Sequence, residues 1–259
     1  MFDSQKRYEL LVRPLGRTPA DEYYHNGSVW IEGREGNSYV VDLRNNTSQR
    51  ALFILSVDGL DVLSGNPAGP NSSGYVIAPY TTISVPGWKL NNQQAAEFFF
   101  SRSKDSYVNS IGGSTANTGV IGAMIFSEAV LYTSVGVANT NPIWWPTLDT
   151  CTTTPVDLQS TSTTRRVDIS KNVTAAQNYI SQEVGTGFGN SVDWNTSSMT
   201  FQRSNPTQPD TILAVYYNTA KNLEKMGIQL RSRNNVGYMA NPFPTYSSSC
   251  QPPPGWYKK

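Results

Sequence analysis

Apolar residues recur at every second position over several short stretches in the first half of the chain. The alternation is clearest in residues 8–12 and 39–43, and a period of two is the pattern of a strand with one buried face. Denser apolar runs occupy residues 51–57, 95–101 and 120–130. Such runs are typical of strands that lie inside a fold. The first half of the chain is therefore predicted to be a series of strands.

Turn-forming residues separate these stretches. Asp58 and Gly59 form a common turn dipeptide, and the Asn-Pro-Ala-Gly-Pro-Asn run at 66–71 fits only a loop. Short strands at intervals of about ten residues, with turns between them, are typical of sandwiches and jelly rolls. We therefore predict a mainly β fold, with an antiparallel, jelly-roll-like β-sandwich domain over residues 1–135.

The second half of the chain predicts a different organisation. Residues 136–165 are rich in Asn, Pro and Thr, and we expect a linker or an extended surface loop there. Residues 166–259 mix helical and strand patterns and predict a small α+β region. Its Pro-rich end carries aromatic residues, which suit an extended arm that lies across a neighbour.

Two helices are predicted in this C-terminal region. Residues 173–184 have helical spacing, and Gly185 stands where a helix-ending glycine belongs. Residues 219–226 predict a shorter helix that Thr219 caps and Gly227 ends. Strands are expected at 191–203 and 211–217.

Composition and charge narrow the class of protein. Charged residues make up 15% of the 259 residues, and the formal net charge is +1. Nucleic-acid-binding chains usually carry a strong basic excess, so we expect no specific nucleic-acid partner. The first residues do not resemble a signal peptide, and no apolar run reaches the ~20 residues of a membrane span. We therefore expect a soluble chain, made in the cytoplasm, without membrane contact.

The two cysteines, Cys151 and Cys250, leave two alternatives open. They are either buried free thiols or the partners of a disulfide that closes the C-terminal half. A disulfide of this span would stabilise the fold by roughly 4–5 kcal/mol in the chain-entropy model. With a single histidine in the chain, they cannot build a zinc site from Cys and His ligands.

Candidate catalytic and cofactor chemistry is sparse. His25 is the only histidine, and it lies in a polar turn without a Gly-x-Ser-x-Gly sequence, so we interpret it as a surface residue. Asp58 and Asp61 are interpreted as turn residues rather than an acid–base pair. The glycine-rich run 185–189 follows a predicted helix instead of a strand, so we interpret it as a helix stop and tight loop, not a nucleotide site. We expect no enzyme activity, no cofactor and no metal.

Tryptophans are the candidate contact residues. Trp144 and Trp145 stand together in the predicted linker, where they are expected to pack on a neighbouring domain or partner. Trp88 is a candidate for stacking on a sugar ligand, although packing in the core or at an interface is the commoner fate of tryptophan. In the predicted arm, the candidate interface residues are Pro252, Pro253, Pro254, Trp256 and Tyr257.

Several strings, taken in order, resemble a family of largely uncharacterised proteins of bacteria and tailed bacteriophages. They are SVDGLDVLSG at 56–65, GYVIAPYTTISVPGW at 74–88, NTGVIGAMIF at 117–126, GTGFG at 185–189, NPFP at 241–244 and CQPPPGW at 250–256. In the phage setting the chain is similar to virion structural proteins such as head decoration proteins or fibres. The resemblance implies no catalytic residues, and it implies a location in the virion.

The leading hypothesis is thus a non-catalytic virion structural protein, either a capsid decoration or a head-fibre subunit. Its expected partners are other virion proteins such as the capsid, and further copies of itself. Attachment is expected through sheet edges, the Trp144–Trp145 segment and the Pro-rich arm. The alternative is a carbohydrate- or receptor-binding β-sandwich module. A hydrolase that uses only carboxylates, such as Glu97 or Asp105 with Asp58, is the third hypothesis.

Overall fold

The computed structural model describes residues 1–129 and 182–231. Within these ranges the protein is mainly β, as predicted, and its strands form two sheets that pack face to face. The strands are β1 (Tyr8–Pro14), β2 (Tyr23–His25), β3 (Ser28–Glu32), β4 (Ser38–Asn45), β5 (Ala51–Val57), β6 (Leu60–Asp61), β7 (Tyr75–Ile77), β8 (Thr82–Val85), β9 (Gly87–Lys89), β10 (Gln94–Arg102), β11 (Val120–Ser127), β12 (Val184–Asp193) and β13 (Thr211–Asn218). The helices are α1 (Tyr107–Ser110) and α2 (Ala220–Lys225).

Sheet A is antiparallel and has the strand order β1-β4-β10-β12. Two further short strands extend it, since β8 pairs with β4 and β9 pairs with β10. Pro86 separates β8 from β9, so this stretch of chain changes its partner strand within the same sheet. Proline cannot donate a ladder hydrogen bond, which suits it to this point of change.

Sheet B has the strand order β2-β3-β13-β11-β5-β6, with β7 also paired to β5. Its pairs are antiparallel except for β3 and β13, which run parallel with Val29 opposite Val215. A parallel neighbour requires a long crossover, and here β3 and β13 lie far apart in sequence. The predicted alternation is visible in β13, where Leu213, Val215 and Tyr217 all point into the sandwich.

The core between the sheets is rich in aromatic side chains. The ring of Tyr39 stacks on that of Phe100 at 4.4 Å between centroids, and Phe100 also contacts Tyr217 of the opposite sheet at 5.2 Å. Phe53 meets the edge of the Tyr8 ring at 5.6 Å. Such pairs add about 0.5–1.5 kcal/mol each beyond the burial of their area. They hold sheet A against sheet B at several points.

The described strands of the C-terminal half belong to the same two sheets as the N-terminal strands. β12 pairs along most of β10 in sheet A, and β13 lies between β3 and β11 in sheet B. For these strands the structure therefore differs from the expectation of a separate unit over residues 166–259. The predicted boundary, 136–165, lies outside the described residues.

The local predictions in this half have mixed outcomes. The helix at 219–226 is confirmed as α2, because the Thr219 hydroxyl accepts a hydrogen bond from the Asn222 N–H and Gly227 follows with φ of +85°. The strand at 211–217 is confirmed as β13. The strand predicted at 191–203 does not extend beyond Asp193, where β12 ends.

The glycine-rich run 185–189 was predicted to be a helix stop and a tight loop, and this prediction is wrong. All its residues lie inside β12, and Val184, the last residue of the predicted helix, begins that strand. The physical reason is close packing. A Cβ on Gly187 would lie 2.2 Å from the ring of Phe99, and one on Gly189 would lie 2.8 Å from the Glu97 carbonyl oxygen. The rest of the predicted helix, residues 173–181, lies outside the described residues.

Several edges of the two sheets are short or covered. β1 is covered because Leu10 donates its N–H to Met1 O at 2.9 Å and Ala20 donates its N–H to Val12 O at 2.8 Å. At the edges of sheet B, β2 and β7 have three residues each and β6 has two. These edges offer little backbone for the addition of another strand.

Candidate functional site

A cluster of polar side chains is buried where the two sheets meet. Asp58 is 1% exposed and lies in the turn between β5 and β6. The other members are Tyr217 of β13, Thr186 of β12 and Tyr39 of β4, and each is 0% exposed. We call these four residues the Asp58 cluster. It joins two strands of sheet A to two elements of sheet B.

Three hydrogen-bond donors converge on the carboxylate of Asp58. The Gly119 N–H and the Tyr217 hydroxyl donate to Oδ1 at 2.8 and 2.6 Å, and the Thr186 N–H donates to Oδ2 at 2.7 Å. The Thr186 hydroxyl lies 2.8 Å from the Tyr217 hydroxyl and 2.6 Å from the Tyr39 hydroxyl. The carboxylate is therefore connected through a chain of hydroxyls to the interior face of sheet A.

The predicted turn at Asp58 and Gly59 is confirmed, but its carboxylate does not face water. Both residues have positive φ, +51° and +82°, as the tight hairpin between β5 and β6 requires. The side chain of Asp58 then points into the sandwich, where it meets Thr186. The Asp-Gly pattern predicts this backbone shape. It carries no information on the direction of the side chain relative to a sheet formed by distant residues.

Burial raises the pKa of Asp58 to about 6, in part offset by the hydrogen bonds from Tyr217, Thr186 and Gly119. Burial also raises the pKa of Tyr217 and of Tyr39 well above the ordinary value, and the nearby charge of Asp58 adds to both shifts. The tyrosines therefore stay protonated at neutral pH and can act as donors. Since these side chains do not line the surface cleft described below, we interpret the cluster as a tie between the sheets.

Trp88 is not a surface stacking residue, and its assignment as a candidate ligand contact is wrong. The side chain is 2% exposed and packs in the core between Phe98 and Tyr107. Its indole N–H donates to Gly187 O at 3.1 Å, so its polar atom is also satisfied inside the protein.

The outer face of sheet B carries an apolar surface. Inward residues of β11 and β13 alternate with outward ones, and the outward set is also apolar. Met124 lies opposite Ile212, and Gly122 lies opposite Ala214. We call these four residues the outer strip. Ile212 is 50% exposed and the other three are half-buried.

Two raised elements flank the outer strip. On one side α2 and the residues after it place Leu223 and Ile228 over Trp30. On the other side Phe201 packs against Phe126, and the guanidinium carbon of Arg203 lies 4.3 Å from the centroid of that ring. The outer strip thus lies between these two elements on the outside of sheet B. The run 211–217 is apolar at odd and even positions alike, which indicates a strand with two apolar faces. This signal was not used in predicting the contact residues.

The outer face of sheet A has a different character. There Arg13 makes two parallel hydrogen bonds to the Asp42 carboxylate, at 2.8 and 3.0 Å, and the Ser84 hydroxyl also donates to this group. Arg44 is exposed on the same strand as Asp42. Charged and hydroxyl groups of this kind are compatible with water. The two outer faces therefore differ, and the apolar one is the candidate contact surface.

The remaining candidate residues are not brought together. Asp105 is exposed and pairs with Arg102 at 2.7 Å, and Glu97 lies in β10. Asp58 is enclosed between the sheets, and none of the three carboxylates proposed for a hydrolase lines the surface cleft described below. His25 ends β2 at the hairpin, with its Nε2 3.0 Å from the Asn26 amide nitrogen.

Several predicted contact residues lie outside the described ranges, and the structure does not test them. They are Trp144, Trp145, Cys151, Cys250, Pro252, Pro253, Pro254, Trp256 and Tyr257. Within residues 1–129 and 182–231, no cluster of three or more His, Cys, Asp or Glu side chains is arranged to hold a metal ion. In the same part of the chain, neither helix has the length and apolar character needed to cross a membrane.

Comparisons with protein-family models, with curated proteins and with solved structures find no match to this chain.

Proposed function

We propose that the protein is a non-catalytic structural subunit whose copies associate through the outer strip of sheet B, and that it serves as a decoration or head-fibre subunit of a virion. The proposed association is based on the apolar outer face of sheet B. Ile212, near the start of β13, is half exposed on this face. The placement in a virion is supported by the resemblance of the sequence strings to phage structural proteins.

A second copy is the occupant that the surface favours. The outward positions of the strip carry no charged side chain, so two copies can meet there without burying an unpaired charge. The formal net charge of +1 adds little long-range repulsion between copies. An apolar sheet face can pack against a second copy of itself, because sheets pack face to face about 10 Å apart. A two-fold contact requires this self-complementarity.

The association can be tested by replacing Ile212 with aspartate and measuring mass in solution. The full chain and the variant are compared by size-exclusion chromatography with light scattering over a range of concentrations. We expect wild type to form a defined oligomer, and Ile212→Asp to shift it to monomer, because the new carboxylate would be buried at the contact. The matched control is Ile111→Asp, since Ile111 is 49% exposed but lies beyond α1, away from sheet B.

Three results would contradict the association: a monomeric wild type, an oligomer that survives Ile212→Asp, or equal effects of both substitutions. The virion role is tested separately by mass spectrometry of purified particles from the source of the protein. Many copies per particle are expected, and their absence would exclude a decoration or fibre role.

A further inference from the structure

A cleft of about 440 Å³ opens at the end of the sandwich where β1 and β3 terminate. Pro14, the last residue of β1, and Glu32, the last residue of β3, both line it. Phe100 forms part of the floor and is 1% exposed, so the base of the cleft is fixed by the core. Tyr23 of β2 also lines the cleft. This volume lies within the range of small-molecule sites.

The walls of the cleft carry three guanidinium groups and two carboxylates. Arg34 pairs with Glu32 at 2.7 Å, and Arg231 pairs with Asp21 at 3.3 Å. Arg17 also lines the cleft, and among residues 1–129 and 182–231 it forms no ion pair. Among the described residues that line it, the cleft therefore has one more positive group than negative groups. It is matched to a ligand that carries one negative charge.

The remaining lining indicates a ligand that is partly apolar and rich in hydroxyls. Tyr23 is partly exposed and offers aromatic surface, against which the C–H face of a sugar ring can pack. Asn37 and Thr18 add an amide and a hydroxyl at the wall, and both can donate and accept hydrogen bonds. A guanidinium such as that of Arg17 binds a carboxylate through two parallel hydrogen bonds.

We propose that this cleft binds an acidic saccharide, a uronate- or sialate-type sugar, with the sugar carboxylate on Arg17 and the ring against Tyr23. A phosphate group fits less well, since it carries up to two negative charges and the rim already holds the carboxylates of Asp21 and Glu32. The proposal does not rest on association through the outer strip, because no residue of the outer strip lines the cleft.

The test is a titration of the full chain with free sugars, in which binding is measured by calorimetry and by ligand-observed NMR. The probes are glucuronate and N-acetylneuraminate, with glucose as the neutral comparison and inorganic phosphate as the anion comparison. We expect the acidic sugars to bind more tightly than glucose or phosphate, and binding to weaken as salt is raised. Arg17→Gln should lower the affinity at least tenfold. Arg44→Gln removes an exposed arginine on β4, outside the cleft, and should leave the affinity unchanged.

Four outcomes would overturn the proposal. Wild type could show no binding of either acidic sugar, or glucose could bind as tightly as they do. Phosphate could bind as well as the sugars, which would make the cleft a general anion site. Equal effects of Arg17→Gln and Arg44→Gln would place binding elsewhere on the surface. Arg17 is exposed, so its substitution is not expected to disturb folding.

Discussion

Acidification should stabilise this protein through Asp58, in a pH range where a carboxyl of ordinary pKa stays ionised. The pKa of Asp58 is about 6 in the fold, against 3.8 for an ordinary aspartate. The folded state therefore binds a proton more readily than the unfolded state, so stability rises as the pH falls through 6. The rise ends below the unfolded pKa, where both states are protonated.

The size of this effect follows from the two pKa values. At pH 5 the folded carboxyl is mostly protonated while the unfolded one is largely ionised, which corresponds to roughly 1 kcal/mol of added stability. At pH 7 both carboxyls are largely ionised, so the same contribution is close to zero. The free energy of unfolding should thus increase by roughly 1 kcal/mol between pH 7 and pH 5 from this residue alone.

The measurement is urea unfolding at pH 7 and at pH 5, with tryptophan fluorescence as the signal. Asp58→Asn cannot titrate, so the difference between wild type and this variant isolates the contribution of Asp58 from that of other groups. Asp61 is a buried aspartate of the same hairpin. Asp61→Asn keeps Asp58, so this variant should show the same gain in stability between pH 7 and pH 5 as wild type. A wild type that loses stability on acidification relative to Asp58→Asn would refute the reasoning. It would mean that the three hydrogen bonds outweigh burial and hold the carboxylate ionised.

Two further predictions concern the packing around this cluster and in sheet A. Tyr217→Phe removes the hydroxyl that lies 2.6 Å from Asp58 and 2.8 Å from Thr186. The free energy of unfolding, measured in urea, should fall by about 1–3 kcal/mol because buried polar groups lose a hydrogen-bond partner. An unchanged free energy of unfolding would show that the hydroxyl contributes nothing. Gly87→Ala places a Cβ 1.9 Å from the carbonyl oxygen of Ala96, a backbone atom that cannot rotate away, so unfolding should become easier by about 3 kcal/mol. Gly69→Ala, with no atom within 4 Å of the added Cβ, is its control, and an equal loss in both would contradict the steric argument.

The parts of the fold that follow from local pattern were predictable from the sequence. Alternation and apolar runs identified β5, β10, β11 and β13, and the capping residue and glycine identified α2. The run at 185–189 was not predictable in this way, because its glycines serve contacts with Phe99 and the Glu97 backbone, about 90 residues away in sequence. Trp88 was misjudged for the same reason, since its burial depends on the same distant strand, β12.

The candidate sites depend even more on distant residues. The Asp58 cluster is assembled from a turn and three strands, and only the turn has a local signature. The cleft at the end of the sandwich combines the loop after β1 with Arg231, far along the chain. No short pattern of residue types predicts such a combination, because each contributing segment reads alone as an ordinary loop or strand.

The contrast between the two outer faces restricts how copies of the protein can be arranged. If copies meet through the outer strip, the Arg13–Asp42 face of sheet A turns away from the contact and stays in water, where that ion pair needs no desolvation. The cleft lies at the end of the sandwich and is lined from both sheets, so it is separate from the outer strip. A subunit joined through sheet B would therefore present sheet A outward and keep the cleft accessible to a ligand. This arrangement suits an assembly in which one face holds the copies together and another part of each copy meets a sugar.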